Sequence, residues 1–137
     1  MFSAIGIDKA PYDYSGLATV AQSSPTAVGS LIDTSGVKSG SLVVAIFEAD
    51  VATNADILIS VVSAWKTPNG SLVFDMGSPL ATLTIGAGTI TGSELRRVDF
   101  TGNLPGPGIM VFVQGRRTAG TGNILATLSI GIEMLNS

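Results

Sequence analysis

Ser41–Ala64, SLVVAIFEADVATNADILISVVSA, decides the fold class. It holds two apolar runs, Leu42–Phe47 and Ile57–Val62, joined by a polar link from Glu48 to Asp56. Each run is shorter than a core helix and rich in β-branched residues, which fit a pleated surface. Within the first run Leu42, Val44 and Ile46 fall on one face of a strand, and Val43, Ala45 and Phe47 on the other. Both faces are apolar, so such a strand is expected to be covered twice, once by a second sheet and once by a chain arm or another subunit.

Outward from this centre the same signals repeat. Residues 27–33 read as a first strand, closed by Thr34-Ser35-Gly36, and Val37-Lys38-Ser39-Gly40 reads as a turn. After Trp65, Thr67-Pro68-Asn69-Gly70 sets Pro second and Gly fourth, the pattern of a type I turn, which predicts a hairpin. Strands follow at Leu72–Phe74, Leu80–Ile85 and Glu94–Phe100. Asn103-Leu104-Pro105-Gly106-Pro107-Gly108 has two prolines and must be a loop. Ile109–Gln114 is expected to pair with Ile124–Met134 across a loop at Thr118–Asn123. In that last strand Ile124, Ala126, Leu128, Ile130, Ile132 and Met134 share one face, and Thr127, Ser129, Gly131 and Glu133 the other.

Seven or eight strands between turn signals, with no helical period, indicate an all-β protein. The preferred architecture is a jelly-roll-like antiparallel β-sandwich over residues 26–137, preceded by an extended N-terminal arm over 1–25. An immunoglobulin-like sandwich is the alternative, without its disulfide. The arm reading rests on poor periodicity and on Gly6, Pro11, Gly16 and Pro25; its Phe2, Ile5, Tyr12 and Tyr14 suit an arm lying on the domain or on a neighbour.

Composition narrows the chemistry. The 137 residues include neither cysteine nor histidine, which removes thiolate sites, the commonest general base and the usual zinc ligand. A net charge of −3 argues against nucleic acid as a partner. No apolar run is long enough for a membrane helix, and the N-terminus lacks a signal-peptide pattern. Yet 45% of the residues are hydrophobic and only 12% charged, which suggests a surface normally covered by partners. Glu48, Asp50 and Asp56 match no calcium-loop spacing. Gly86-x-Gly88-x-x-x-Gly92 departs from phosphate-loop spacing and precedes no helix. No catalytic, cofactor or metal residue is assigned, and the protein is not expected to be an enzyme. Trp65, Arg96, Arg97, Arg116 and Arg117, together with Phe2, Ile5, Tyr12 and Tyr14, are the candidate interface residues.

The opening MFSAIGIDKAPYDYSG, the strand SGSLVVAIFEAD, the turn AWKTPNGSL and the strand RRVDF together resemble the cement, or decoration, proteins of short-tailed double-stranded DNA bacteriophages. The resemblance implies a jelly-roll protein, made in the host cytoplasm, that sits on the outside of an icosahedral shell. It implies the major capsid protein as partner and a homo-oligomer, dimer or trimer, near the symmetry axes, with no catalysis. A carbohydrate-binding β-sandwich of lectin or tail-fibre type is the alternative; it predicts exposed aromatics on one concave face, and a single Trp with 6% aromatic residues counts against it. A small hydrolase using a carboxylate pair is the third reading.

Overall fold

A computed structural model describes residues 2–101 and 108–136, with the backbone alone for residues 2–4, 8, 9, 101 and 136. Eleven strands are present among them: β1 (Phe2–Asp13), β2 (Ala21–Gln22), β3 (Thr26–Asp33), β4 (Val37–Val51), β5 (Ala55–Lys66), β6 (Leu72–Phe74), β7 (Ala81–Ile85), β8 (Gly88–Ile90), β9 (Glu94–Thr101), β10 (Gly108–Arg117) and β11 (Ile124–Asn136). The first sheet runs β1-β11-β4, with β8 and β9 sharing the far side of β4. In the second, β2 and β3 share one side of β10, β5 lies on its other side, and β6 and β7 share the far side of β5.

The pairing is nested. β1 pairs β11, β3 pairs β10, β4 pairs β9 and β5 pairs β7, all antiparallel. The chain is thus one long hairpin with its bend between β5 and β7, rolled so that alternate rungs fall into opposite sheets. That winding is the double-sheet jelly roll.

Alternation fills the space between the sheets. Leu42, Val44 and Ile46 of β4 meet Ile57, Ile59 and Val61 of β5, Ile109, Val111 and Val113 of β10 and the even-numbered residues of β11 from Ile124 to Met134 in one core. On β4 the inward set changes parity, from Leu42, Val44 and Ile46 to Ala49 and Val51. The cause is a bulge: Thr127 pairs Glu48 but Leu128 pairs Ile46, so Phe47 is the extra residue. One unpaired residue flips the side-chain alternation beyond it.

Several expectations are corrected. The segment taken for an arm is, over Phe2–Asp13, the edge strand of the first sheet, in register with β11 apart from a bulge between Gly6 and Asp8. Its weak periodicity follows from that edge position and from the bulge at Ile7. Ile109–Gln114 does not pair with Ile124–Met134; β10 lies between β3 and β5 and β11 between β1 and β4. The loop Thr118–Asn123 crosses from one sheet to the other, a gap of about 10 Å that six residues span easily. Val37–Gly40 is the start of β4 rather than a turn. The link Glu48–Asp56 shrinks to residues 52–54, closed by Ala55 N–H donating to the Ala52 carbonyl, with Asn54 at φ 65°. Asn is among the few side chains that accept that backbone conformation readily. The Thr67–Gly70 turn is as expected, the Gly70 N–H donating to the Thr67 carbonyl at 2.9 Å.

Candidate functional site

Both sheets turn apolar residues outward, and they treat them differently. On the second sheet Val62, Ala64, Met110 and Phe112 form a separate buried cluster, packed by Leu31 and Phe74. The Phe74 and Phe112 rings meet edge to face with centroids 5.1 Å apart. The chain covers this face itself.

On the first sheet the outward rows are built from small residues. Register places Gly6, Gly131, Val43 and Arg97 in one row, and Ser129, Ala45 and Leu95 in the next. Val43 and Ala45 are half-buried, Phe47 is 37% exposed and Leu95 is 66% exposed. Among the described residues no bulky side chain lies over Val43 and Ala45, and a shallow depression of about 260 Å³ opens between Ile5, Gly6, Val43, Ala45, Ser129, Gly131 and Glu133. Charges edge it: Arg97 pairs with Glu133, and the Ser41 hydroxyl donates to Asp99. Polar groups around a flat apolar centre are the anatomy of a protein interface. This is the second apolar face of β4 that the sequence of Leu42–Phe47 called for.

The candidate interface residues are scattered. Ile5 stands at the rim of this face, and the side chain of Phe2 lies outside the described residues. Tyr12 and Tyr14 pack against the core instead of reaching outward. Tyr14 donates its N–H to the Ile124 carbonyl at 2.7 Å, and burial raises its phenol pKa. Its ring lies where a side chain at position 115 would be, which fixes Gly115. Arg96 pairs with Glu94 and also donates to the Thr84 carbonyl, tying the two sheets together at that side. Arg116 grips Asp56 through two hydrogen bonds of 2.7 and 2.9 Å, and that bond raises its pKa.

Arg117 has almost no surface to offer, being 2% exposed. Its Nη2 donates to the carbonyls of Gly122 and Ser15, which joins the β10–β11 and β1–β2 loops across one end of the sandwich. Among the described residues Nε and Nη1 are buried without a hydrogen-bond partner. Sequence reasoning placed it beside Arg116 as an equivalent, but adjacent strand residues point to opposite faces.

Trp65 is set apart from all of these. It is 53% exposed at the end of the second sheet, opposite Val73, which is equally exposed. The acidic trio is dispersed into separate hydrogen bonds: Asp56 to Arg116, Asp50 to Asn123 and Glu48 to Thr127. Gly88 begins β8, a short strand against β4, so the glycine-rich stretch there turns the chain back onto the sheet.

No family model matches the chain, and no curated protein matches it. Among solved structures it is similar to a chain in the structure of infectious bursal disease virus Gx strain, at 11% identity and a TM-score of 0.47. The match covers 98% of this chain and 32% of that one, so this chain spans about a third of its length. The jelly-roll assignment stands on the sheet order itself.

Proposed function

We propose that this protein is a structural virion component, a decoration protein that binds the outer surface of an icosahedral phage shell through the outward face of its first sheet. The observation that carries the reading is the small, flat second face of β4 at Val43 and Ala45, continued by Leu95, which is 66% exposed. A strand apolar on both sides needs a second cover, and among the described residues none lies over Val43 and Ala45. The resemblance of the N-terminal, β4, hairpin and β9 sequences to phage cement proteins points to the major capsid protein as that cover. Self-association near a symmetry axis belongs to the same reading, because many weak contacts on a repeating lattice act together through high local concentration.

Edges support a face-to-face contact over strand addition. β1 carries a bulge at Ile7, with Pro11 beyond it, and β9 carries Arg96, Arg97 and Asp99. Bulges, charges and proline on edge strands discourage growth of a sheet by a further strand. The role requires stiffness and contact area, and no reacting group.

Density-gradient sedimentation of assembled particles, with detection of this chain, tests the reading. The wild type is expected with the dense particles in near-stoichiometric ratio to the main shell protein, and Ala45→Arg at the top of the gradient. A wild-type chain that stays at the top, or an Ala45→Arg chain that sediments as wild type does, overturns it.

A further inference from the structure

The outward face of the first sheet is a set of rows in register, from Ala4, Glu133, Ser41 and Asp99 at one end to Asp13, Leu125, Asp50 and Thr89 at the other. The small apolar centre lies between them, in the rows of Val43 and Ala45. Charge is divided unevenly along these rows. The acids Asp13, Glu48, Asp50, Asp99 and Glu133 share them with two bases, Lys9 and Arg97. Five acids against two bases leave −3, which is the net charge of the whole chain. The other five acids and five bases cancel.

The excess sits at one end. The last two rows, Pro11-Thr127-Glu48 and Asp13-Leu125-Asp50-Thr89, hold three acids and no base. Each carboxylate is held by a neutral donor. Asp50 accepts from the Asn123 amide at 3.0 Å, Glu48 from the Thr127 hydroxyl at 3.5 Å and Asp13 from the Ser15 N–H at 2.9 Å. Such bonds orient a carboxylate without cancelling its charge, and among the described residues none of the three enters an ion pair. At the other end Arg97 answers Glu133. The acids are strung along β4 and across to β1, and among the described residues no three gather closely enough to hold a metal ion.

We infer that the surface covering this face is basic: a patch of the shell protein, flat enough to meet Val43 and Ala45, with Lys or Arg side chains set opposite Asp13, Glu48 and Asp50. The inference rests on the shell-contact reading of the face and names the chemistry of its partner. Leu95, Val43 and Ala45 supply apolar area, while complementary charge at the rim sets the orientation and rate of landing. A second copy of this chain fits badly. A two-fold dimer brings the same patch of both copies together. With the axis along the strands, the last two rows of the copies meet each other. With the axis across the strands, they meet the row of Glu133 and Asp99. Acid faces acid both ways, and like charges across an interface oppose association. The same charge repels the phosphates of a nucleic acid.

The test is cosedimentation of the full-length chain with assembled particles over a range of chain concentrations. Wild-type binding is expected to weaken about tenfold between about 0.1 M and about 1 M sodium chloride, as the screening length falls from about 10 Å to about 3 Å. At the lower salt the double variant Glu48→Gln/Asp50→Asn is expected to bind about tenfold more weakly, the weight of two exposed ion pairs, and to lose most of the salt dependence. Asp13→Asn, on a different strand, should weaken binding about threefold. Asp75→Asn removes an exposed acid outside this face and should bind as wild type does. All of these variants should keep the wild-type melting temperature. Wild-type binding that ignores salt, a double variant that binds as tightly as wild type, or an equal loss in Asp75→Asn overturns the inference and leaves the shell contact standing. Binding that EDTA abolishes would make a metal ion the bridge, and overturns it too. A wild type that never reaches the particle fraction overturns the shell reading and this inference with it.

Discussion

The outward faces of the two sheets begin from the same sequence signal and end differently. β10 and β4 are both apolar on two sides. On β10 the outward residues are Met110 and Phe112, large enough to pack with Phe74 and Leu31 into a small second core. On β4 they are Val43 and Ala45, beside Gly131 and Ser129, and remain open. Side-chain size decides whether a double-sided strand is finished within its own chain. A bulky face closes on itself, while a small, flat face keeps its area for another surface.

The largest effect should come from breaking the closed face. Phe112→Ala removes a ring that is 8% exposed and leaves Phe74 without its partner, for a loss of about 3 kcal/mol in chemical denaturation. Particle binding, measured under conditions where the variant is folded, should be unchanged. The open face should behave in the opposite way. Ala45→Arg is expected to change stability by less than about 1 kcal/mol, while the chain disappears from the particle fraction. If both variants lost stability alike, the distinction between the faces would fail.

Ion pairs sharpen the contrast at lower energy. Arg116–Asp56 spans β10 and β5 on the closed face, with two hydrogen bonds and about a third of each side chain exposed. After discounting for solvent screening, Asp56→Asn should cost about 0.5–1 kcal/mol. Glu133→Gln on the open face breaks the pair with the more exposed Arg97, and its cost should be smaller and vanish in high salt. Melting curves at low and high ionic strength separate the two.

The smallest effect belongs to turns outside both faces. The Ser35 and Ser15 donors hold the carboxyls of Asp33 and Asp13 below the usual carboxylate range. A lowered native pKa stabilises the fold above the unfolded value, near pH 4, and that contribution fades as pH falls through the lowered one. The melting temperature should therefore decline slightly on acidification below about pH 4, and Asp33→Asn should reduce that decline.

Most strands were legible because alternation and turn chemistry act locally. The even-numbered residues from Ile124 to Met134 are buried as their period requires, and Thr67–Gly70 turns where Pro and Gly dictate. β1 was not legible as a strand: an edge position and a bulge removed the period, although its backbone ladder to β11 runs nearly its whole length. The candidate sites were less legible still. Trp65 stood out only as the single tryptophan, and its exposed place at the end of the second sheet shows only in the fold. Arg116 and Arg117 read as twins, yet one is a surface ion pair and the other a buried clamp between loops.

By itself the sequence determined an all-β domain without histidine or cysteine chemistry, with two-sided strands that require more cover than one opposing sheet gives. Only the tertiary structure decided which strand faces which. Pairing between β4 and β9, or between β3 and β10, joins residues far apart in the chain, and no local pattern encodes it. The same holds for the outward faces, since whether an apolar row is covered depends on side chains brought in from other strands.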